Sequence, residues 1–296
     1  MVDPAIDANP WARPGWYAET LHGGAAQSFP IGKVLFRDHT DLQDLVIFET
    51  PVFGKVMALD GVIQTTTADE HVYHEMLAHV PILAHGQAAH VLIIGGGDCG
   101  TLRRVLMHPG VTHCTMVEID RTVVDLSVAH LPEISAGAFD DLRAELVIAD
   151  GCQFVAETDQ RFDVIIIDST DPIGPGAVLF TQAFYADCKR CLAPGGVLVN
   201  QASVPFLQGD ELAMIIRNLR PSFSDVTAYV GAVPTYYGGL MTFGWASDDP
   251  SLRSVTTQTI ADRYAAAGLQ TAYYTPALHH AAFALPAFID RIIHRG

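Results

Sequence analysis

The hydrophobic positions along the chain change period twice. From Ile31 to about Thr67 they fall in short β-rich runs: Lys33–Arg37, Leu45–Glu49, Gly54–Ala58 and Val62–Thr66. Turns containing Asp and Gly separate these runs, and Asp60-Gly61 marks a hairpin. A small antiparallel sheet is expected there. At Thr67–Ala84 the apolar positions Tyr73, Met76, Leu77, Val80 and Leu83 recur at helical spacing. Asp69 and Glu70 sit near the start, where acids favour a helix N-terminus. Pro81 lies inside this stretch, so a bend or an early stop is expected.

From His90 the rhythm becomes strand, helix, strand, helix. Continuous apolar runs at Val91–Ile94, Cys114–Ile119, Glu145–Ala149, Val164–Asp168 and Val197–Gln201 read as strands covered on both faces. Helices are expected between them at Thr101–Met107, Arg121–Leu131, Cys152–Glu157 and Gln182–Leu192. A helix near Asp210–Leu219, β-like runs at Thr227–Val230 and Leu240–Trp245, and a helix near Leu252–Ala267 follow. This alternation predicts an α/β fold with a doubly wound, Rossmann-like parallel sheet. The expected division is an N-terminal β-strand domain over 1–67 and a catalytic domain over 68–296.

Composition narrows the class. Of 296 residues, 49% are hydrophobic and 17% charged, against roughly 25% charged in an average soluble domain. That apolar content excludes a disordered chain, and its surplus suggests an interface with another subunit. The apolar runs are far shorter than the ~20 residues a spanning helix needs, so no membrane span is expected. The first 20 residues lack a basic stretch followed by an apolar core, so no secretory signal is expected. Seventeen basic and 33 acidic residues give a net charge of -16. Such a chain is a poor partner for nucleic acid and a reasonable one for cations. Cys188 and Cys191 form the one CxxC among five cysteines. Without a second such unit, zinc is not expected. Reduced structural thiols and a cytoplasmic location fit.

In open α/β sheets, ligands bind outside the carboxyl ends of the strands. After the first strand comes Gly95-Gly96-Gly97-Asp98-Cys99-Gly100. It matches GxGxxG through Gly95, Gly97 and Gly100, a pattern that fits dinucleotide enzymes and methyltransferase-like folds equally. The second strand ends at Glu118, placed to accept hydrogen bonds from ribose hydroxyls. The third ends at Asp150-Gly151, where an acid could accept from the exocyclic amine of an adenine. The fourth leads into Asp168-Ser169-Thr170-Asp171-Pro172-Ile173-Gly174-Pro175-Gly176. Prolines and glycines at this density give a loop of defined shape that could also serve as a lid. Together these sites outline an adenosine-type ligand laid across the sheet.

These segments closely resemble the bacterial spermidine synthases, the polyamine aminopropyltransferases. The matching runs are QDLVIFET, GKVMALDGVIQTT, DEHVYHEMLAHVP, VLIIGGGDCG, MVEID, DSTDPIGP, LFTQAFY and PTYYGG. The likeness runs from about Trp16 to Pro286. One departure is visible: Cys99 stands where the family usually carries Gly, and a side chain there is expected to crowd the cofactor edge slightly.

The resemblance implies transfer of an aminopropyl group from decarboxylated S-adenosylmethionine, a co-substrate rather than a tightly bound cofactor, to putrescine. By resemblance Asp168 is the base and Tyr73 assists it by hydrogen bonding. Gln43, Gly95, Gly97, Asp98, Glu118, Asp150, Gly151 and Pro175 would contact the nucleoside donor. His74, Asp98, Asp168, Asp171 and Tyr236 would line the amine side, with Gln201 as a weaker candidate. No metal is implied, although His71, His74 and His79 share a probable helix. Homodimers or homotetramers are implied as well. The residues agree with this chemistry, because donor and diamine are both cationic and the strand ends are rich in carboxylates. A carboxylate at Asp98 would also repel a donor that kept its own carboxylate, which favours aminopropyl over methyl transfer. Other amines, such as cadaverine or agmatine, stay open as acceptors. An NAD-dependent oxidoreductase would explain the glycine loop and Glu118 but not Asp168–Pro175. A non-catalytic polyamine binder would need the charges but no base.

Overall fold

The computed structural model describes residues 13–21, 25–40, 42–172 and 174–295. The chain begins with a hairpin of β1 (Trp16–Glu19) and β2 (Gln27–Pro30). An antiparallel meander follows: β3 (Lys33–His39), β4 (Asp44–Thr50), β5 (Gly54–Leu59) and β6 (Val62–Thr66), in that spatial order. Period-2 alternation gives this sheet two apolar faces. Val46, Phe48, Val56 and Ala58 pack under Tyr17 and Phe29 of the hairpin. Leu45, Ile47, Met57 and Leu59 pack on Val123, Leu131 and Ile134 of the larger unit. The four-residue strands β1 and β2 precede the region that sequence periodicity marks as extended. Their register comes from pairing with each other, Trp16 opposite Pro30, and their place in the fold from packing on Phe48 and Val56.

The larger unit starts at α1 (Glu70–His85) and continues β7 (His90–Gly95), α2 (Gly100–Leu106), β8 (His113–Glu118), α3 (Arg121–His130), α4 (Pro132–Ser135), β9 (Ala144–Ile148), α5 (Gly151–Glu157) and β10 (Phe162–Asp168). A 3-10 segment, Gly174–Phe180, leads to α6 (Gln182–Cys191), β11 (Leu192–Ser203), α7 (Gly209–Leu219), β12 (Asp225–Gly231) and β13 (Met241–Ser247). Helices α8 (Thr257–Ala266), α9 (Pro276–Ala281) and α10 (Ala287–Arg295) close the described chain. The sheet order is β12-β13-β11-β10-β7-β8-β9. Its strands run parallel except β13, which inserts antiparallel between β11 and β12. Odd and even positions of each strand feed different cores. Val91, Ile93, Val164 and Ile166 face α1 and α2, while Leu92, Ile94, Ile165 and Ile167 face α6 and α7. All eight are at most 2% exposed, so each contributes on the order of 2 kcal/mol of burial free energy.

Three sequence expectations are corrected. Of the bend or early stop expected at Pro81, the early stop does not occur, because helix α1 runs on to His85. Leu77, Val80, Ile82 and Leu83 are buried around it, so packing outweighs the backbone bond to the Leu77 carbonyl that Pro81 cannot make, and Arg263 donates to the last-turn carbonyls of Leu83 and Ala84 at 2.6 and 2.7 Å. The single helix expected over Leu252–Ala267 is two pieces, a 3-10 turn at Pro250–Ser254 and α8, because Asp249 and Thr256 each cap a new start. Cys99 does not crowd the cleft. It adopts φ +68° and is fully buried in the core on the α1 side of the sheet, with its Sγ donating to the Gly97 carbonyl at 3.3 Å.

Chain order reverses between β7 and β10, which lie side by side. A crevice opens at such a switch point beyond the strand ends. There Gly95 pairs with Asp168, and the Gly96 N–H donates to the Asp168 carbonyl at 2.8 Å. A Cβ at Gly95, where φ is +85°, would sit 2.1 Å from that carbonyl oxygen. Only glycine allows this approach.

Candidate active site

Four strand ends, those of β7, β8, β9 and β10, and helix α1 deliver the chemistry. Glu118 ends β8, with Oε1 accepting from the Asp120 N–H at 2.9 Å. Burial pushes its carboxyl up to about 7, against the hydrogen bonds from the 119–120 backbone. Asp150 follows β9 and caps α5, accepting from the Cys152 N–H at 2.7 Å. Gln43, from the loop before β4, donates to Asp120 Oδ2 at 3.1 Å. Gln43, Gly95, Gly97, Asp98, Glu118, Asp150 and Gly151 all line one cleft of about 360 Å³. The side chain of Pro175 lies outside the described residues. The cleft walls between these polar groups are apolar, with Ile94, Val117, Leu59 and Leu179 among them.

Asp168 stands where this cleft meets α1. Tyr73 donates to its Oδ1 at 2.8 Å and Thr101 to its Oδ2 at 2.6 Å. Burial raises the Asp168 carboxyl above the usual carboxylate range, His74 opposes that rise, and Asp98 adds to it. Tyr73 is pushed well above its ordinary value by burial and by Asp168, so the phenol stays a donor. Asp98 accepts from the Gly100 N–H at 2.9 Å and faces His74 Nε2 at 3.3 Å. Burial opposes ionisation of Asp98, but the neighbouring imidazole charge lowers its carboxyl overall. The other nitrogen of His74 meets Glu70 Oε2 at 2.7 Å, and Arg104 donates to Glu70 Oε1 at 2.7 Å. Burial alone would keep the imidazole neutral, yet Asp98 and Glu70 raise it to about 10.

Donor atoms of His74, Asp98 and Asp168 lie within 4.8 Å of one another, a spacing that could hold a cation. Both ring nitrogens of His74 are engaged by carboxylates, however, at 2.7 and 3.3 Å, which leaves neither free for a metal. The arrangement suits an organic ammonium better than a metal ion.

Behind Tyr73 lies a second, narrower chamber of about 70 Å³. It shares Tyr73, Gln64, Asp171 and Tyr236 with the outer cleft and adds Gln201, Gln208 and Glu19. Gln201 and Gln208 donate to the two oxygens of Asp171 at 3.0 and 2.8 Å. Tyr236 donates to the Gln64 carbonyl and stands edge-on to Tyr73, with centroids 5.8 Å apart. Glu19 accepts from Gln27 and from the Ile63 N–H, and burial pushes it up to about 7. Asp69 holds this end of the site together. Thr66 and Thr235 donate to its two oxygens at 2.6 Å each, which ties the start of α1 to the loop bearing Tyr236.

Sequence reasoning missed Glu19, Glu70, Thr101, Arg104 and Gln208. By position in the sequence Glu70 is only a helix-start acid. Its burial and its pairing with Arg104 belong to two helices 34 positions apart. Glu19 lies on a strand whose pattern is too short to read. Thr101 follows the glycine loop directly, and a hydroxyl one residue past GxGxxG was the available signal.

A mostly parallel sheet with one antiparallel insertion near its edge, a glycine loop and acidic strand ends together define a methyltransferase-like fold built around an acidic cleft. A family model described as a spermine/spermidine synthase domain matches residues 70–256, and one described as a spermidine synthase tetramerisation domain matches 15–67. The chain is 57% identical over 275 residues to a polyamine aminopropyltransferase of Shigella dysenteriae, covering 93% of this chain and 95% of the relative. It is also 57% identical over 274 residues to the Salmonella arizonae protein of that name, covering 93% and 96%. Among solved structures it resembles a spermidine synthase in complex with the transition-state analogue AdoDATO, at TM-score 0.89 and 38% identity over 94% of each chain. The Thermotoga maritima spermidine synthase follows at TM-score 0.88 and 37% identity, again over 94% of each chain. The chain belongs to the spermine/spermidine synthase family, and it is a transferase of the polyamine aminopropyltransferase kind. No helix among the described residues is long and apolar enough to cross a membrane.

Proposed function

We propose that this enzyme is a spermidine synthase that moves the aminopropyl group of decarboxylated S-adenosylmethionine onto putrescine. The observation that carries this reading is the cluster Tyr73–Asp168–Asp98, set where a nucleoside-sized cleft meets a narrow polar chamber. The outer cleft takes the donor, with Gln43, Glu118, Asp150 and Gly151 toward the nucleoside. Asp98 receives the donor's terminal ammonium. The inner chamber takes the diamine between Tyr236, Asp171 and Gln201, with Glu19 and Gln208 at its far end. The attacking nitrogen must be neutral, so Asp168 accepts a proton from it, and Tyr73 and Thr101 hold that carboxylate in place. The nitrogen lone pair then forms a bond to the carbon beside the sulfonium. The C–S bond breaks, its electron pair stays on sulfur, and methylthioadenosine leaves neutral. Positioning and electrostatics supply most of the rate.

The same reading divides the chain into an assembly unit over 1–67 and a catalytic unit over 68–296, acting as a homodimer or homotetramer in the cytoplasm. The match of residues 15–67 to a model described as a tetramerisation domain supports the oligomer. Incubation with the decarboxylated donor and a panel of putrescine, cadaverine and agmatine, with products read by mass, tests the assignment. Spermidine and methylthioadenosine are the expected products. Preferred turnover of another amine would move the acceptor, and no thioether nucleoside at all would overturn the reading.

A further inference from the structure

Glu70 and Arg104, behind His74, have no part in the reaction as described. With His74 and Asp98 they form a buried chain of alternating charge: Arg104, Glu70, His74, Asp98. Every member is at most 8% exposed. We propose that Glu70, anchored by Arg104, is a positioning residue that fixes His74 as a permanent imidazolium, and that this charge keeps Asp98 and Asp168 ionised for the reaction. The proposal rests on the spermidine synthase reading of the site.

The geometry makes the case. A neutral imidazole has one N–H and one lone pair. Here each ring nitrogen faces a carboxylate oxygen, at 2.7 Å from Glu70 and 3.3 Å from Asp98. A neutral ring would aim its lone pair at one of those anions inside the protein. The ring has little room to turn away, since the position of a Cβ on Gly100 lies 2.2 Å from its Cε1. The ionisable groups facing His74 are Glu70 and Tyr73 from α1, Asp98 from the loop after β7 and Asp168 from the end of β10. Arg104 of α2 lies behind Glu70, and Tyr236 borders the acids from the loop before β13. All the anions are on the imidazole's side of the chain, and Arg104 balances Glu70, so one positive charge is left for Asp98 and Asp168. That charge lies within 4.8 Å of the Asp168 carboxylate. An opposite charge at that range lowers a carboxyl pKa by about 1–3 units. Without it, two acids crowded in a buried site would share a proton, and the base would be spent before the amine arrived.

Two measurements test this. In ligand-free wild type labelled with 15N-histidine, both ring nitrogens of His74 are expected to carry protons at pH 8, with assignment by loss of the signal in His74→Gln. A neutral-ring signature at pH 8 would overturn the proposal. In Glu70→Gln, the acid limb of kcat at saturating donor and putrescine is expected to move up by about one pH unit, a roughly tenfold loss at a pH on that limb. Should that variant fail to fold with Arg104 left unpaired, Glu70→Gln with Arg104→Met gives the same shift. An unmoved limb in whichever variant folds overturns the positioning role. Wild type that makes no spermidine would defeat the underlying reading instead, and the nitrogen spectrum would still decide the charge on His74.

Discussion

His74 and His79 lie five residues apart on α1, and both are buried. Their surroundings drive them to opposite charge states. His74 lies between Asp98 and Glu70 and is raised to about 10. His79 Nδ1 shares a 2.8 Å hydrogen bond with His108 Nε2, with Arg104 nearby. Burial, His108 and Arg104 hold it well below the ordinary imidazole value, and burial holds His108 near 4. Burial opposes the charged form at both places, so burial does not decide the outcome. The sign of the neighbours does. One end of a single helix thus carries a fixed cation into the site, while a later turn carries a neutral ring, His79, into the core.

Removing the carboxylate that the cation serves is the strongest way to break the comparison. Asp168→Asn should lower kcat by about 10³-fold or more, within the range of a positioned general base, while binding of methylthioadenosine persists. Steady-state turnover and calorimetric binding of the product check both halves. Next, Asp98→Ala should weaken the decarboxylated donor about 100-fold, the cost of leaving a charged partner unpaired. It should weaken methylthioadenosine far less, because that product lacks the terminal amine. Equal losses would remove Asp98 from ammonium recognition. Gly100→Ala should displace the imidazole it packs against. An effect of about 1–3 kcal/mol on thermal stability is expected, with a loss of donor affinity alongside.

The neutral end sharpens the contrast through pH. His108 is depressed from 6.5 to about 4 in the folded state. Its stabilising contribution is therefore complete above pH 6.5 and is lost as pH falls toward 4, up to about 3 kcal/mol. His74 is raised from 6.5 to about 10, so its contribution is complete below 6.5 and fades as pH rises through 10. Urea denaturation of wild type and His108→Gln at pH 7 and 4.5 should show the gap between them narrowing at the lower pH. A constant gap would mean that the imidazole already carries its proton in the fold.

Much of this architecture is legible along the chain. Continuous runs such as Val164–Ile167 mark strands covered on both faces, and Gly95–Gly100 with Glu118 and Asp168 marks their functional ends. The parts that escape reading share one cause, which is dependence on partners far away in sequence. The hairpin β1–β2 gains its place from Phe48 and Val56. The antiparallel insertion of β13 follows from pairing with β11 and β12, which local periodicity does not report. Helix α10 is the exception, since Ile289, Ile292 and Ile293 recur at helical spacing along the chain itself. The local cost of Pro81 is outweighed by the core packed around α1, which its own neighbourhood in sequence does not report.

The amino-acid order by itself determined the alternation of strand and helix, the glycine loop and the acids at the strand ends. These follow from steric and solvation preferences acting over a few residues. Only the tertiary structure decided what those acids do. Asp69 and Glu70 are neighbours on one helix start, yet Asp69 locks a loop through Thr235 and Glu70 holds a charge through His74 and Arg104. A carboxylate's proton affinity depends on the charges and hydrogen bonds within a few ångströms of it, and those neighbours are set by folding rather than by position along the chain.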